Sequence, residues 1–491
     1  MSPWAWAVAQ QVGRQSASYI VFVVLALLLT PHDFGVVSLA ASWVALLSVF
    51  GELGFGAALV QRSVITSGHL STTFALNLVA GAALTLVGVA VAGPLARFFH
   101  APEAAPVLVA LSAGFILNAP SLTQAALAQR ELRFRQLAFR DTTAAIVGGV
   151  IGITLAFVGW GVWSLVAQIL TSTLVGSALL WRLSPWRPRA AEVSLERVRE
   201  LWGYSSKIFW FNIFKYFAQN CDRLLVGYLA GPVLLGVYTF AYRLVVSPVA
   251  TSIGAIGNYL FPRFARLQDD PSAVREVYLR TTGAVTTLLL PALALAAATA
   301  PLAVPVLFGS RWAGGIVLVQ LFTVVAAAQL LISPAGQLMK ALGRPGWMFA
   351  WSVFFTTVTL VFLATGSAWG MDGIGAGLAV AHLVGIVAAG TLIVRLLRCR
   401  WADLSRAAFP GLVLAAGSGA AALVLVTLLP APPAARLAMA LMAGVLITAV
   451  ALPRLSPVVW RTVTSGFRGV RLDAGMPVEE PFESITPERG P

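Results

Sequence analysis

Seven residues stand out because they are charged or titratable and lie inside long apolar runs. Arg14, Lys215, Arg223 and Arg243 are basic; Glu52, Asp222 and His382 are acidic or titratable. Most of them cluster in GYSSKIFWFNIFKYFAQNCDRLLVGYLAGPVLLGVYTFAYR, Gly203 to Arg243, which reads as two apolar helices joined at Gly231-Pro232. A charge at the centre of a bilayer span costs about 2.5–3.5 kcal/mol on insertion scales. Such groups therefore face a protein interior or a wet cavity. The chemistry they offer is the binding of an anion, with Arg14, Lys215, Arg223 and Arg243 as substrate-binding candidates at successive depths. Arginine adds a planar fork that matches phosphate. Glu52, Asp222 and His382 are candidates for ion coupling or charge pairing.

Each candidate also admits a structural role. Lys207 can snorkel to lipid headgroups. Arg14 and Glu52 can clasp each other. Asp222 and Arg223 are neighbours that point about 100° apart on a helix, so Asp222 can pair with Arg243 and Arg223 with another helix. His382 can be a hydrogen-bonded interior histidine, and Asn77, Asn118, Gln124 and Gln168 suit interhelical hydrogen bonds.

Catalytic signatures are missing. The sequence contains no G-x-x-x-x-G-K-[ST] loop, so no nucleotide site is expected. His, Cys and acidic residues do not fall at metal-ligand spacing. We expect a transporter rather than an enzyme, without cofactor or metal, driven by a proton or sodium gradient or by removal of product. Only Cys221 and Cys399 are present; one falls in a span and one in a basic loop, so no disulfide is expected.

The elements that must position these residues are membrane helices. The chain has 491 residues, 58% hydrophobic and 11% charged, with mean hydropathy +0.85; soluble domains carry about 25% charged residues. Apolar runs of about 20 residues, each long enough to cross a hydrocarbon core, recur between turn signals such as Thr30-Pro31, Gly231-Pro232 and Pro430–Pro433. We read an all-α polytopic membrane protein of about fourteen transmembrane helices. The formal net charge is +14. Its basic residues crowd alternate loops, around Arg62, Arg130–Arg135, Arg187–Arg199, Arg263–Arg275 and Arg398–Arg406. The positive-inside rule makes those loops cytoplasmic and puts both termini inside. Scattered loop arginines without a dedicated domain do not point to nucleic acid.

An internal repeat is visible. At one constant offset Arg14 meets Lys215, Pro31 meets Pro232, Gly35 meets Gly236, Gly56 meets Gly257 and Arg62 meets Arg263. Copies an even number of spans apart share one orientation, giving a parallel pseudo-repeat of two lobes with about six spans each. The organisation read from this is an N-terminal lobe over 1–183, an amphipathic cytoplasmic linker over 184–203 with Ser194 as N-cap, and a C-terminal lobe over 204–400. Two extra helices over 401–453 and a cytoplasmic tail over 454–491, Pro- and Glu-rich at its end, complete the chain.

Residues FGELGFGAALVQR (50–62), QAALAQRELRFRQLAFRD (124–141), NCDRLLVGYLAGPVLLGVYTFAYRLVVSP (220–248) and YLFPRFARL (259–267) resemble those of Wzx-type lipid-linked oligosaccharide flippases. These are polysaccharide transporters of the multidrug/oligosaccharidyl-lipid/polysaccharide exporter superfamily. The resemblance spans roughly residues 10–400. It implies two lobes around a central cationic cavity and export of an undecaprenyl-diphosphate-linked glycan repeat unit across the bacterial inner membrane for lipopolysaccharide, exopolysaccharide or capsule. Polysaccharide polymerase and export machinery are partners of such a protein. A lipid II flippase shares the same charge logic. A multidrug/cation antiporter of the superfamily would carry an acidic residue in the first lobe's interior, whereas span 1 has Arg14 and no carboxylate, and a glycan ligase or polymerase would need larger outer loops.

Overall fold

In a computed structural model, residues 3–52, 55–62, 64–343, 345–457 and 459–461 are described. Among them the chain is helical throughout. Helices α1 (Pro3–Leu28), α2 (Pro31–Glu52), α3 (Phe55–Gln61), α4 (Ser67–Phe98), α5 (Ala104–Arg130), α6 (Phe134–Phe157) and α7 (Val162–Leu183) make the N-terminal half. The C-terminal half contains α8 (Leu195–Ala241), a π-helical turn (Tyr242–Val246), α9 (Ser247–Arg266), α10 (Pro271–Ala303), α11 (Ile316–Ala341), α12 (Pro345–Gly366) and α13 (Gly370–Leu396). Helices α14 (Trp401–Leu428) and α15 (Pro433–Leu455) follow.

Composition dictates this form. A spanning segment must satisfy its backbone internally, and eleven stretches of the described residues are long and apolar enough to cross a membrane, besides the shorter Gly13–Leu28. Large apolar side chains point outward: Leu86 and Phe157 are 70% exposed and Leu428 75% exposed. A water-soluble surface would not carry so many of them.

Glycine and proline place the turns. Helix α8 is broken at Gly231, whose φ of 76° and ψ of 179° end one arm, and Pro232 starts the next. Proline at the first helical position gives up an N–H that has no helical partner there. Pro31 does the same for α2, where Asp33 Oδ2 accepts from Thr30 N at 2.9 Å and Thr30 Oγ1 at 2.7 Å. Ser194 caps α8 by accepting from Glu196 N at 3.2 Å. From Leu195 this helix then runs on without a break into the arm that carries Asp222 and Arg223. The segment before it is tied to α4, with Arg189 N donating to Ser71 Oγ and Ser194 N to Thr72 Oγ1, both at 3.1 Å.

The two halves meet through equivalent helices. Gln15 of α1 donates to Ser247 Oγ at 3.3 Å, and Tyr19 Oη donates to the Leu244 carbonyl at 3.3 Å. Across the molecule Tyr216 of α8 donates to the Ser42 carbonyl of α2. At the end away from the arginine-rich loops, a Cβ on Gly35 would overlap the Pro232 carbonyl, and one on Gly236 would overlap the Pro31 carbonyl. The repeat partners thus pack on each other, backbone to backbone. Trp312 Nε1 donates to the Ala26 carbonyl at 2.9 Å, and Arg311 caps α1 through the Leu27 and Leu28 carbonyls. Phe240 stacks on Trp312 at 4.1 Å, with Phe34 at 5.6 Å on its edge. This closes the gap between the lobes at that end.

Helix α14 lies on α10 through small residues: a Cβ on Gly283 would come within 2.9 Å of the Ala407 carbonyl. Helix α15 packs alongside, with Leu295 against Gly444. Both cysteines are free.

Candidate functional site

Two polar cavities lie in the two halves, at different depths. The first, about 440 Å³, sits among α1, α2, α4, α5, α6 and α7, toward the arginine-rich end. Arg14 projects into it from α1 and its Nη2 meets Gln11 Oε1 at 3.2 Å. Arg140, two turns into α6, lines the same space, close enough for the two guanidinium charges to repel each other. Asp141 meets Arg140 Nη1 at 3.3 Å and accepts from Gln10 Nε2 at 2.6 Å. Arg140 Nε is buried without a hydrogen-bond partner. Asn77, Asn118, Gln168 and Ser172 add uncharged polar groups to the walls. With two guanidinium groups and one carboxylate on the described walls, the cavity carries an excess of positive charge and suits an anion.

The second cavity, about 430 Å³, lies in the C-terminal half, among α8, α11, α12 and α13. Asp222 Oδ2 accepts from Tyr238 Oη at 2.5 Å, while its Oδ1 is buried without a partner. Arg223 stacks on Tyr242 with its guanidinium carbon 4.7 Å from the ring centre, reaches Asn220 Oδ1 at 3.4 Å, and leaves Nε unpartnered. His382 donates from Nδ1 to the Leu378 carbonyl at 2.9 Å and faces Gln329 Nε2 at 3.5 Å through Nε2.

Arg243 belongs to neither cavity. It is exposed between the lobes, 5.7 Å from the ring centre of Phe22 in α1.

The model of the family described as "Polysaccharide biosynthesis protein" matches residues 24–317, more than half of the chain. The chain belongs to that family. Within this polysaccharide biosynthesis protein family it is 28% identical to the succinoglycan biosynthesis transport protein ExoT of Rhizobium meliloti (strain 1021), over 74% of this chain and 73% of that one. It is 26% identical to the lipopolysaccharide biosynthesis protein WzxC of Escherichia coli (strain K12), over 70% of each. Among solved structures, the lipid II flippase MurJ in an inward closed conformation superposes with a TM-score of 0.74 at 11% identity, covering 94% of this chain and 99% of that one. An inward-facing multidrug resistance transporter of the MATE family and MOP superfamily gives 0.59 at 17% identity, covering 80% and 99%. At these identities the likeness is one of fold: a bundle of membrane-spanning helices.

In this family member, then, the sequence candidates divide. Arg14 lines the first cavity; Asp222, Arg223 and His382 share the second; Arg243 stands between the lobes. The side chains of Glu52, Lys207 and Lys215 lie outside the described residues. Neither Asp222 nor Arg223 has an ion pair among the described residues. The Asp222–Arg243 pair that the sequence allows is not formed: Tyr238 takes Asp222, and Arg243, one position after Tyr242 and so about 100° further round the helix, lies over Phe22.

Several functional candidates were not singled out from sequence. Arg140 and Asp141 open an apolar run within QLAFRD, and only the rotation of α6 shows that they turn inward. Tyr238 and Tyr242 read as apolar residues, although their four-residue spacing puts both on one helical face.

Proposed function

We propose that this protein is a flippase: it moves an undecaprenyl-diphosphate-linked oligosaccharide repeat unit across the bacterial inner membrane for polysaccharide assembly. The observation that carries this reading is the arginine-bearing polar cavity in a chain whose relatives are named for succinoglycan transport and lipopolysaccharide biosynthesis. A diphosphate needs compensating charge wherever it crosses the apolar zone. Arg14 and Arg140 supply it on the inner side, with Lys215 as the repeat equivalent of Arg14. Arg243 supplies it between the lobes. Arg223 lies further out, ahead of the diphosphate and on the path of the glycan. An apolar groove of about 600 Å³, between Tyr19 and Val23 of α1 and Leu437 and Leu441 of α15, offers a place for the polyprenyl tail. The lobes rock about the cavity to open it alternately inward and outward. No catalytic step is required. The titratable groups available for coupling within the spans are Glu52, Asp222 and His382. Polymerase and export machinery would receive the product.

Deleting the gene tests the reading. The expected result is loss of one surface polysaccharide and accumulation of its lipid-linked repeat unit on the inner leaflet. Accumulation of lipid II instead would assign the second substrate, and accumulation of neither would reject transport of lipid-linked glycans.

The charged loops support one orientation. Arg130 donates to the Leu59 carbonyl at 2.8 Å and to the Arg62 carbonyl, so the loops after α3 and α5 share one end. By the positive-inside rule that end is cytoplasmic, together with both termini. Single cysteines replacing Arg62, Arg130 or Arg263 should resist an impermeant maleimide added to whole cells. Those replacing His32 or Asp372 should react. Labelling at position 130 would invert the topology.

A further inference from the structure

Building on that reading, we propose that the outer cavity of the C-terminal half is a glycan subsite that receives an uncharged pyranose of the repeat unit. Three buried polar atoms lining it have no partner: Asp222 Oδ1, Arg223 Nε and Thr359 Oγ1. A buried polar group left without a hydrogen bond destabilises the fold. Their convergence on one cavity therefore marks a place where a ligand supplies the missing partners. A polar space of this size holds water when empty, and sugar hydroxyls can replace those waters one for one.

The charges decide what kind of ligand fits. Asp222 is the described acidic residue of the lining and Arg223 the described basic one. An inorganic cation would meet the Arg223 guanidinium, and an anion would meet the Asp222 carboxylate. An uncharged polyol satisfies both, donating to Asp222 Oδ1 and accepting from Arg223 Nε. The remaining wall suits the other face of such a ring. Tyr238 stands edge-on to Phe322 at 5.1 Å, and Phe355 edge-on to His382 at 5.0 Å. Aromatic surface pairs with the C–H face of a pyranose, while a few placed polar groups fix its orientation. The volume, 430 Å³, falls within the range of small-molecule sites, about 300–1,000 Å³.

Depth supports the assignment. Arg14 and Arg140 lie in the first halves of helices that start at the arginine-rich end, whereas Asp222 and Arg223 lie close to the far end of their helical arm. A substrate whose diphosphate sits at the inner leaflet while its glycan leads into the protein would place its sugars outward of the arginines.

The full-length protein in nanodiscs tests this with two probes: bare undecaprenyl diphosphate, and the lipid-linked repeat unit purified from the deletion strain. Wild-type protein should bind the glycosylated lipid at least about tenfold more tightly. Thr359→Val should weaken that binding about fivefold, as for one lost hydrogen bond, and leave the affinity for the bare lipid unchanged. Because Thr359 Oγ1 is unpartnered, the same change should leave the melting temperature unchanged or raise it. Tyr242→Leu should narrow the gap between the two lipids further. Arg14→Ala should weaken both probes alike. Unchanged glycolipid binding in Thr359→Val and Tyr242→Leu, or equal losses for both lipids, would overturn the subsite while leaving the flippase reading intact. A wild-type protein that binds neither lipid would overturn both.

Discussion

Replacing Arg14 by alanine together with Arg140 by glutamine is expected to abolish polysaccharide export while leaving the protein abundant in the membrane. Each guanidinium offers a charge-assisted hydrogen bond, worth about 1.5–3 kcal/mol, to a diphosphate in the inner cavity. Losing one should weaken binding roughly 10- to 150-fold. Losing both leaves the diphosphate without an arginine partner on the inner cavity's described walls. Folding should be spared, because among the described residues the hydrogen bond of Arg14 is an exposed one, to Gln11. Arg140 holds Asp141, but that carboxylate keeps its bond from Gln10. Lysine at position 14 should restore part of the activity if charge alone matters, and little if the planar fork is used. Complementation of the deletion strain, read beside membrane abundance, measures all of this. Normal export by the double variant would remove these arginines from the path.

The second large effect concerns the crossing at Gly35 and Gly236. A valine at position 35 would drive its side chain into the Pro232 carbonyl. Overpacking of this kind costs about 1–3 kcal/mol. Here the strain falls on a contact between lobes, one that an outward-open arrangement would separate. The variant should therefore favour the outward-open arrangement by roughly 5- to 150-fold. Transport should fall sharply, since alternating access needs both states. A cysteine in the outer part of the interface, such as Phe34→Cys, should react faster with an impermeant maleimide in the Gly35→Val background. Phe34 is 3% exposed in the closed arrangement, so the unaltered protein gives a low baseline. Equal labelling rates in the two backgrounds would show that this crossing is not a gate.

The same pair of glycines shows what was legible in the sequence. Their equivalence, with that of Pro31 and Pro232, is set by the repeat. That the equivalent residues touch is not, because it depends on how two lobes dock around an axis. The charged candidates divide in the same way. Periodicity and composition locate Arg14 within a span and give its approximate depth. The helix rotation that sends Arg14 and Arg140 into one cavity is a property of packing, since apolar residues surround α6 on every side. The π-helical turn at Tyr242–Val246 has no signature in YRLVV. The outer cavity was legible only in part: Asp222, Arg223 and His382 announced themselves by charge. Thr359, Gln329 and the tyrosines gain meaning only when four helices bring them together.

Transport itself is the central claim, and reconstitution tests it most directly. Purified protein is placed in vesicles containing the lipid-linked repeat unit, and a membrane-impermeant glycosidase reports how much glycan reaches the outer surface, with and without proton or sodium gradients. Wild-type vesicles should expose glycan initially shielded from the enzyme, and vesicles with the Arg14→Ala, Arg140→Gln variant should behave as protein-free ones. A rate that rises with one gradient identifies the coupling ion; indifference to both identifies facilitated exchange. Glycan that stays shielded in wild-type vesicles under every gradient would contradict the account.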